Sequence, residues 1–112
     1  AIVKSLLFRV DDNFLICLVA GDKRCSIKKL KSFLRKKDIS MASAKEVKTY
    51  TGFSIGGVAP VAHKKKLNIL IDSSLNRFEN IFAAAGHPSC VFKIKYNELL
   101  RITNSSAVEI SE

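Results

Sequence analysis

The chain has no apolar stretch long enough to cross a bilayer. Its longest apolar runs, such as Phe14 to Ala20, fall far short of the roughly 20 residues a transmembrane helix needs. It has no basic N-terminal segment followed by an apolar core, so nothing reads as a secretory signal. The three cysteines, Cys17, Cys25 and Cys90, are odd in number and lack C-x-x-C spacing, and the two histidines do not cluster. That pattern argues against a zinc site, and no metal or cofactor is expected. Cys17 falls inside an apolar strand pattern, where a buried free thiol is the usual outcome, and a reducing cytoplasmic setting follows. There is no G-x-S-x-G elbow and no GK[ST] phosphate loop, so neither a serine triad nor a nucleotide-binding P-loop is legible. No internal repeat, linker or low-complexity tract breaks the chain.

Acidic residues are scarce. Ten Asp and Glu face nineteen Lys and Arg, a net charge of +9 on 112 residues. An excess of that size favours polyanionic partners such as nucleic acid, although it says nothing about fold. Much of it lies in Lys23, Arg24, Lys28, Lys29, Lys31, Arg35, Lys36 and Lys37, and in Lys64-Lys65-Lys66. These clusters read either as a solvated face or as a footprint on a phosphate backbone. The remaining composition, 47% hydrophobic and 26% charged, is that of a globular protein with room for one domain, residues 1–112.

Ile2 to Arg9 alternates as a strand, Asp11-Asp12-Asn13 is a turn, and Phe14 to Val19 is a second strand, which predicts a hairpin. Ile27, Leu30, Phe33 and Leu34 recur at helical spacing, giving an amphipathic helix with its lysines outward. Ser43-Ala44-Lys45-Glu46 matches a capping box and predicts a short helix to about Tyr50, ended by Gly52. Leu67 to Ile71 reads as a strand followed by an Asp72-Ser73-Ser74 turn. Ile81 to Ala85 reads as a strand closed by Gly86-His87-Pro88, and Val91 to Lys95 alternates again. Asn97 is placed to cap a last helix through Ile102, and Ala107 to Ile110 reads as a closing strand. Locally paired strands mixed with three short helices imply an α+β domain on a strongly curved mixed sheet.

Three of the five glycines and one of the two prolines fall within Thr51 to His63. A loop this rich in both residues lets main chain approach a ligand closely, while proline fixes its exit. Gly56-Gly57-Val58-Ala59-Pro60 therefore reads either as a structural turn or as a set of backbone donors suited to an oxyanion. Lys4 shares a strand face with Ile2, Leu6 and Phe8, which reads as the buried face. It must reach solvent at an edge or point into a cleft. His87, in a tight turn, is a candidate general base or a turn-stabilising imidazole, whereas His63, beside Lys64, reads as a surface residue.

Val3-Lys4-Ser5-Leu6-Leu7-Phe8, the Gly21-Asp22-Lys23-Arg24 turn, the Thr51 to Pro60 loop and Ala85-Gly86-His87-Pro88 occur in that order. The series resembles the YbaK/EbsC family over nearly the whole chain, and that family is similar to the editing domain inserted in bacterial prolyl-tRNA synthetases. The resemblance implies a trans-acting aminoacyl-tRNA deacylase, a hydrolase of the ester joining a wrong amino acid to the 3′-terminal adenosine. By the same resemblance Lys4 engages that adenosine and its phosphate. Gly56 and Pro60 match a GxxxP loop that holds the aminoacyl carbonyl, with Gly57 beside them. Ile55, Val58, Ala59, Gly86 and His87 fall at the amino-acid pocket, and the charge of Lys64, Lys65 and Lys66 directly after the loop is read as a contact with the tRNA. Water is the nucleophile, helped by a hydroxyl of the terminal ribose.

The implied partners are tRNA and a tRNA synthetase, with no membrane, for a monomer or weak homodimer. A second sieve of this kind is physically sensible, because a methylene difference lets a synthetase discriminate by only about 10–200-fold. Relatives carry a further N-terminal segment before the lysine strand. This implies either a pocket lacking part of its wall or a sequence lacking an N-terminal piece. Two other readings remain open: a non-catalytic module that binds a nucleotide or RNA end, and an editing domain cut from a larger synthetase.

Overall fold

Burial is greatest along the second strand, and the architecture follows from that. The computed structural model describes residues 2–87 and 89–112. β1 (Ile2–Val10) and β2 (Asn13–Ala20) form the expected antiparallel hairpin, with Val10 opposite Asn13 and Val3 opposite Ala20. Ile16, Cys17, Leu18, Val19 and Ala20 have no exposure, so β2 is covered on both faces and carries an unbroken apolar run.

The other strands are β3 (Ile39–Met41), β4 (Asn68–Asp72), β5 (Ile81–His87), β6 (Cys90–Ile94) and β7 (Ser106–Val108). They complete a mixed sheet in the order β6-β5-β1-β2-β4-β7, with β3 also paired to β1. β1–β5, β2–β4 and β4–β7 are parallel, and the remaining pairs are antiparallel. Among the described residues no helix is long and apolar enough to cross a membrane.

Three helices cover the sheet: α1 (Ile27–Leu34), α2 (Ala44–Thr51) and α3 (Tyr96–Thr103). On one face Ile16, Leu18 and Ala20 pack with Val47 of α2 and with Tyr96 and Leu99 of α3. On the other, Leu15, Cys17 and Val19 pack with Leu30 of α1 and with Ile110. The capping box of α2 is present as read. Ser43 Oγ accepts from Glu46 N–H at 3.1 Å, Glu46 Oε1 accepts from Ser43 N–H at 2.9 Å, and Gly52 ends the helix.

Several boundaries differ from the sequence reading. β3 has only three residues, too few for an alternation to register. Phe33 does not join the buried stripe of α1 and stands 49% exposed. Asp72-Ser73-Ser74 opens into a 3₁₀ turn over Ser73–Arg77. β5 runs through Gly86 and His87 with an irregular register near its end, so these residues belong to strand rather than to a tight turn. Pro88 lies outside the described residues. α3 begins at Tyr96 with no side-chain cap, which places Asn97 inside the helix rather than at its cap. β7 begins one residue before the stretch predicted for it and ends at Val108, because Ile110 is instead drawn into the core beside α1.

Asp72, read as a turn residue, is fully buried. Its Oδ1 accepts from the backbone N–H groups of Ile110 and Ser111 at 3.0 and 3.1 Å. Its Oδ2 accepts from Ser111 Oγ at 2.8 Å and from Ser74 Oγ. One carboxylate thus ties the C-terminal segment to the end of β4. Burial alone would raise its pKa, but these four donors together outweigh burial and hold it below the usual 3.8.

Candidate active site at the free edge of the first strand

β1 is fully paired on one edge only. On the other, β5 takes Ile2 and Val3 and β3 takes Phe8, Arg9 and Val10, leaving Lys4 to Leu7 without a strand neighbour. The Leu7 carbonyl is occupied, accepting from Ala42 N–H at 3.0 Å. A cavity of about 380 Å3 opens at this gap. Lys4, Ser5, Leu6 and Leu7 form its floor, and Val47 of α2, the glycine loop and Ala84 of β5 close it.

Both faces of β1 are covered. Val3 and Leu7 are buried on one and Phe8 on the other, while on Lys4's own face burial falls away to Ile2 at 60% exposure. Lys4 therefore lies where the strand leaves the core, and it takes part in none of the ion pairs among the described residues. Of the cavity-lining side chains it alone carries a charge.

The loop is a closed Ω-like excursion from α2. Lys64 N–H donates to Thr51 O at 3.0 Å and Lys65 N–H to Tyr50 O at 3.1 Å, so its exit is pinned to the helix end. Inside it, Gly57 N–H donates to Ser54 O at 2.9 Å across a turn whose third residue, Gly56, has φ +85°. That is the position of a type II turn where a side chain would be strained. Ile55, Gly56 and Val58 line the cavity, and their N–H groups meet no acceptor among the described residues. The Gly57 N–H is spent inside the turn and is no donor to a ligand.

The structure thus gathers Lys4, Ile55, Gly56 and Val58 around one space, but not the other residues named from the sequence. Pro60 faces a separate, larger groove of about 560 Å3 that also contains His63, Lys65 and Lys66. Lys64, Lys65 and Lys66 are exposed, with Lys65 Nζ 5.6 Å from the centre of the Tyr50 ring. Gly57 and Ala59 are buried supports of the loop. His87 does not line the cavity; it is exposed, its Nδ1 accepting from Ser89 N–H at 3.1 Å. Gly86, at φ +90°, lies against Phe53, whose Cε1 would stand 3.2 Å from any Cβ added there. Among the described residues no three metal-binding side chains cluster.

His63 is not the surface residue the sequence suggested. It is half-buried, its ring edge-on to Phe53, and its Nε2 lies 2.7 Å from the Ala59 carbonyl and donates to it. Gly86, Phe53, His63 and Ala59 form a chain of contacts that braces the loop. No sequence signal marks an imidazole meeting a carbonyl within a loop.

Burial pushes the His63 pKa below 6.5, with partial opposition from the Ala59 carbonyl. A histidine whose folded pKa is depressed contributes stability that is present above about pH 6.5 and lost as pH falls through the folded value. The Tm of the protein is expected to drop further between pH 7 and pH 5 than that of His63→Gln, whose amide donates without titrating. Parallel Tm curves for the two proteins would remove the brace from the loop.

A family model described as an aminoacyl-tRNA editing domain matches residues 1–102. Among curated proteins, the proline–tRNA ligase of Caldicellulosiruptor bescii is 30% identical over 83 residues, 74% of this chain and 14% of the ligase. The chain therefore spans about one seventh of the ligases it matches. The uncharacterized protein YwhH of Bacillus subtilis is 34% identical over 99 residues, 88% of this chain and 62% of that protein. A crystal structure of a proposed trans-editing enzyme for prolyl tRNA synthetase superposes with TM-score 0.95 at 33% identity, covering 99% of this chain and 70% of that one.

Proposed function

The chain belongs to the aminoacyl-tRNA editing domain family, and on that premise we propose that its cavity receives the 3′ end of a mischarged tRNA and hydrolyses the aminoacyl ester. The observation that carries this reading is the meeting, at one gap in the sheet, of Lys4 with Ile55, Gly56 and Val58, whose N–H groups meet no acceptor among the described residues. Lys4 supplies a fixed positive charge for the terminal phosphate. The loop donors hold the carbonyl oxygen and stabilise the negative charge it gains when attacked. Pro60 and Gly57 serve from behind, by setting the course of the loop.

Lys4 is the one titratable group lining the cavity, so no protein side chain there is suited to act as general base. Water attacks the ester carbon, a hydroxyl of the terminal ribose relays its proton, and the bond to the ribose oxygen breaks. The products are a free amino acid and tRNA with its terminal hydroxyl restored. Ile2, Met41, Ile55 and Val91, each more than half exposed, ring the mouth and offer apolar surface to the face of the terminal adenine. Lys64, Lys65 and Lys66 lie beyond the loop, where their charge meets the phosphates of the acceptor end in a salt-sensitive attraction. The reading extends to action in trans, by likeness to the trans-editing structure and to YwhH, which this chain covers over most of their lengths.

Incubation with alanyl-, cysteinyl-, seryl- and threonyl-tRNA tests the reaction directly. Release of at least one amino acid well above the spontaneous rate is expected. Tight binding of all four with no acceleration would leave a binding module in its place.

A further inference from the structure

Ser5 is a residue of the cavity to which the proposed reaction gives no task. Its Oγ is buried and has no hydrogen-bond partner, the one such side-chain oxygen or nitrogen among the described residues. It follows Lys4 on the stretch of β1 that no strand pairs on the cavity side. Neighbouring strand residues point to opposite faces, so Ser5 looks to the side of Val3, Leu7 and Val47, away from Lys4. Those neighbours, with Ala42 and Val58, are all aliphatic and buried.

A hydroxyl in such surroundings is unfavourable until something supplies its missing partner. Its position restricts what that partner is. Lys4 and the loop donors account for the phosphate and carbonyl, and the α-ammonium has no carboxylate to meet in this lining, so it stays at the wet mouth. What reaches Ser5 is the amino-acid side chain. It must be small and neutral, and carry a polar atom that donates to the Ser5 hydroxyl or accepts from it.

We infer that Ser5 is a specificity-determining residue that hydrogen-bonds the hydroxyl of a small hydroxylated amino acid on the tRNA. This rests on the proposed deacylase reading and adds the class of amino acid removed. A site built around a hydrogen bond rejects the analogue that lacks the group more sharply than an apolar pocket rejects a missing methylene. Seryl and alanyl esters differ by that hydroxyl alone.

The test compares seryl- and alanyl-tRNA as substrates, and their non-hydrolysable 3′-amide adenosine analogues as ligands, for the protein and for Ser5→Ala and Ser5→Cys. The seryl forms are expected to be favoured about 10–100-fold by the unaltered protein, with that preference collapsing in Ser5→Ala and intermediate in Ser5→Cys. Since Ser5→Ala removes an unpartnered hydroxyl, its Tm is expected to equal or exceed that of the parent. A lowered Tm would mean that Ser5 is structural. Equal loss on both amino acids, or loss on neither, would overturn the inference while leaving the deacylase intact. Discrimination between the amides without turnover of any ester would overturn the deacylase and leave Ser5 as the selector of a binding site.

Discussion

Lys4→Ala reduces deacylation to the spontaneous rate while the protein remains folded. Removing one preorganised group that stabilises developing or adjacent negative charge costs about 10²–10³-fold in rate. Lys4 is the sole charge in a lining that is otherwise aliphatic apart from Ser5, so nothing nearby can substitute for it. Its loss orphans no partner, because Lys4 belongs to none of the ion pairs or side-chain hydrogen bonds among the described residues. It sits at the partly exposed end of β1, paired through the backbone with Val19, and that pairing survives the substitution. The Tm is therefore expected to move by no more than about 2 °C, as for a surface change. The check is kcat/KM on a mischarged tRNA beside a thermal melt of the same preparation. Full activity in a folded variant would move the chemistry out of this cavity.

Asp72→Ala has the opposite signature, a large loss of stability with no direct loss of chemistry. Asp72 is fully buried and satisfies two backbone N–H groups 38 and 39 residues away, as well as two serine hydroxyls. Alanine leaves buried donors without an acceptor and frees the segment that seats Ile110 against the α1 face. A cost of about 3 kcal/mol is expected, or a Tm lower by about 12 °C at roughly 4 °C per kcal/mol. Denaturant melts should show a lower midpoint with an unchanged slope.

The pH dependence carries its own check. A carboxylate whose folded pKa is depressed contributes stability that is present above about pH 4 and lost as pH falls through the folded value. The gap between the protein and Asp72→Ala should therefore narrow in acid. A gap that stays constant down to pH 2 would show that the carboxylate's charge is not what the C-terminal segment binds.

These two residues illustrate what a sequence conceals. Lys4 was visible as an oddity, because a charge interrupts an apolar alternation. Its cleft was not, since the cleft exists only where β5 and β3 leave part of one strand edge unpaired, and those strands lie some thirty to eighty residues away. Asp72 was visible only as a turn former, because the same residue type serves both in a turn and as a buried anchor. His63 looked superficial beside three lysines, yet its ring folds back on Ala59. Gly86 and His87 looked like a turn because glycine is a turn residue, whereas here glycine lets a strand pass against Phe53.

What the sequence determined by itself is what neighbouring residues decide among themselves. The β1–β2 hairpin, the Ser43–Glu46 capping box, the end of α2 at Gly52 and the glycine-rich loop each depend on contacts within a few positions. The ordered series of short motifs also identified the family. Tertiary structure alone decided which loop donors are free, which residues share the cavity, and that Ser5 stands there without a partner. Local hydrogen bonds and hydrophobic periods are written in adjacent residues, but a cavity is the space left over when distant elements pack.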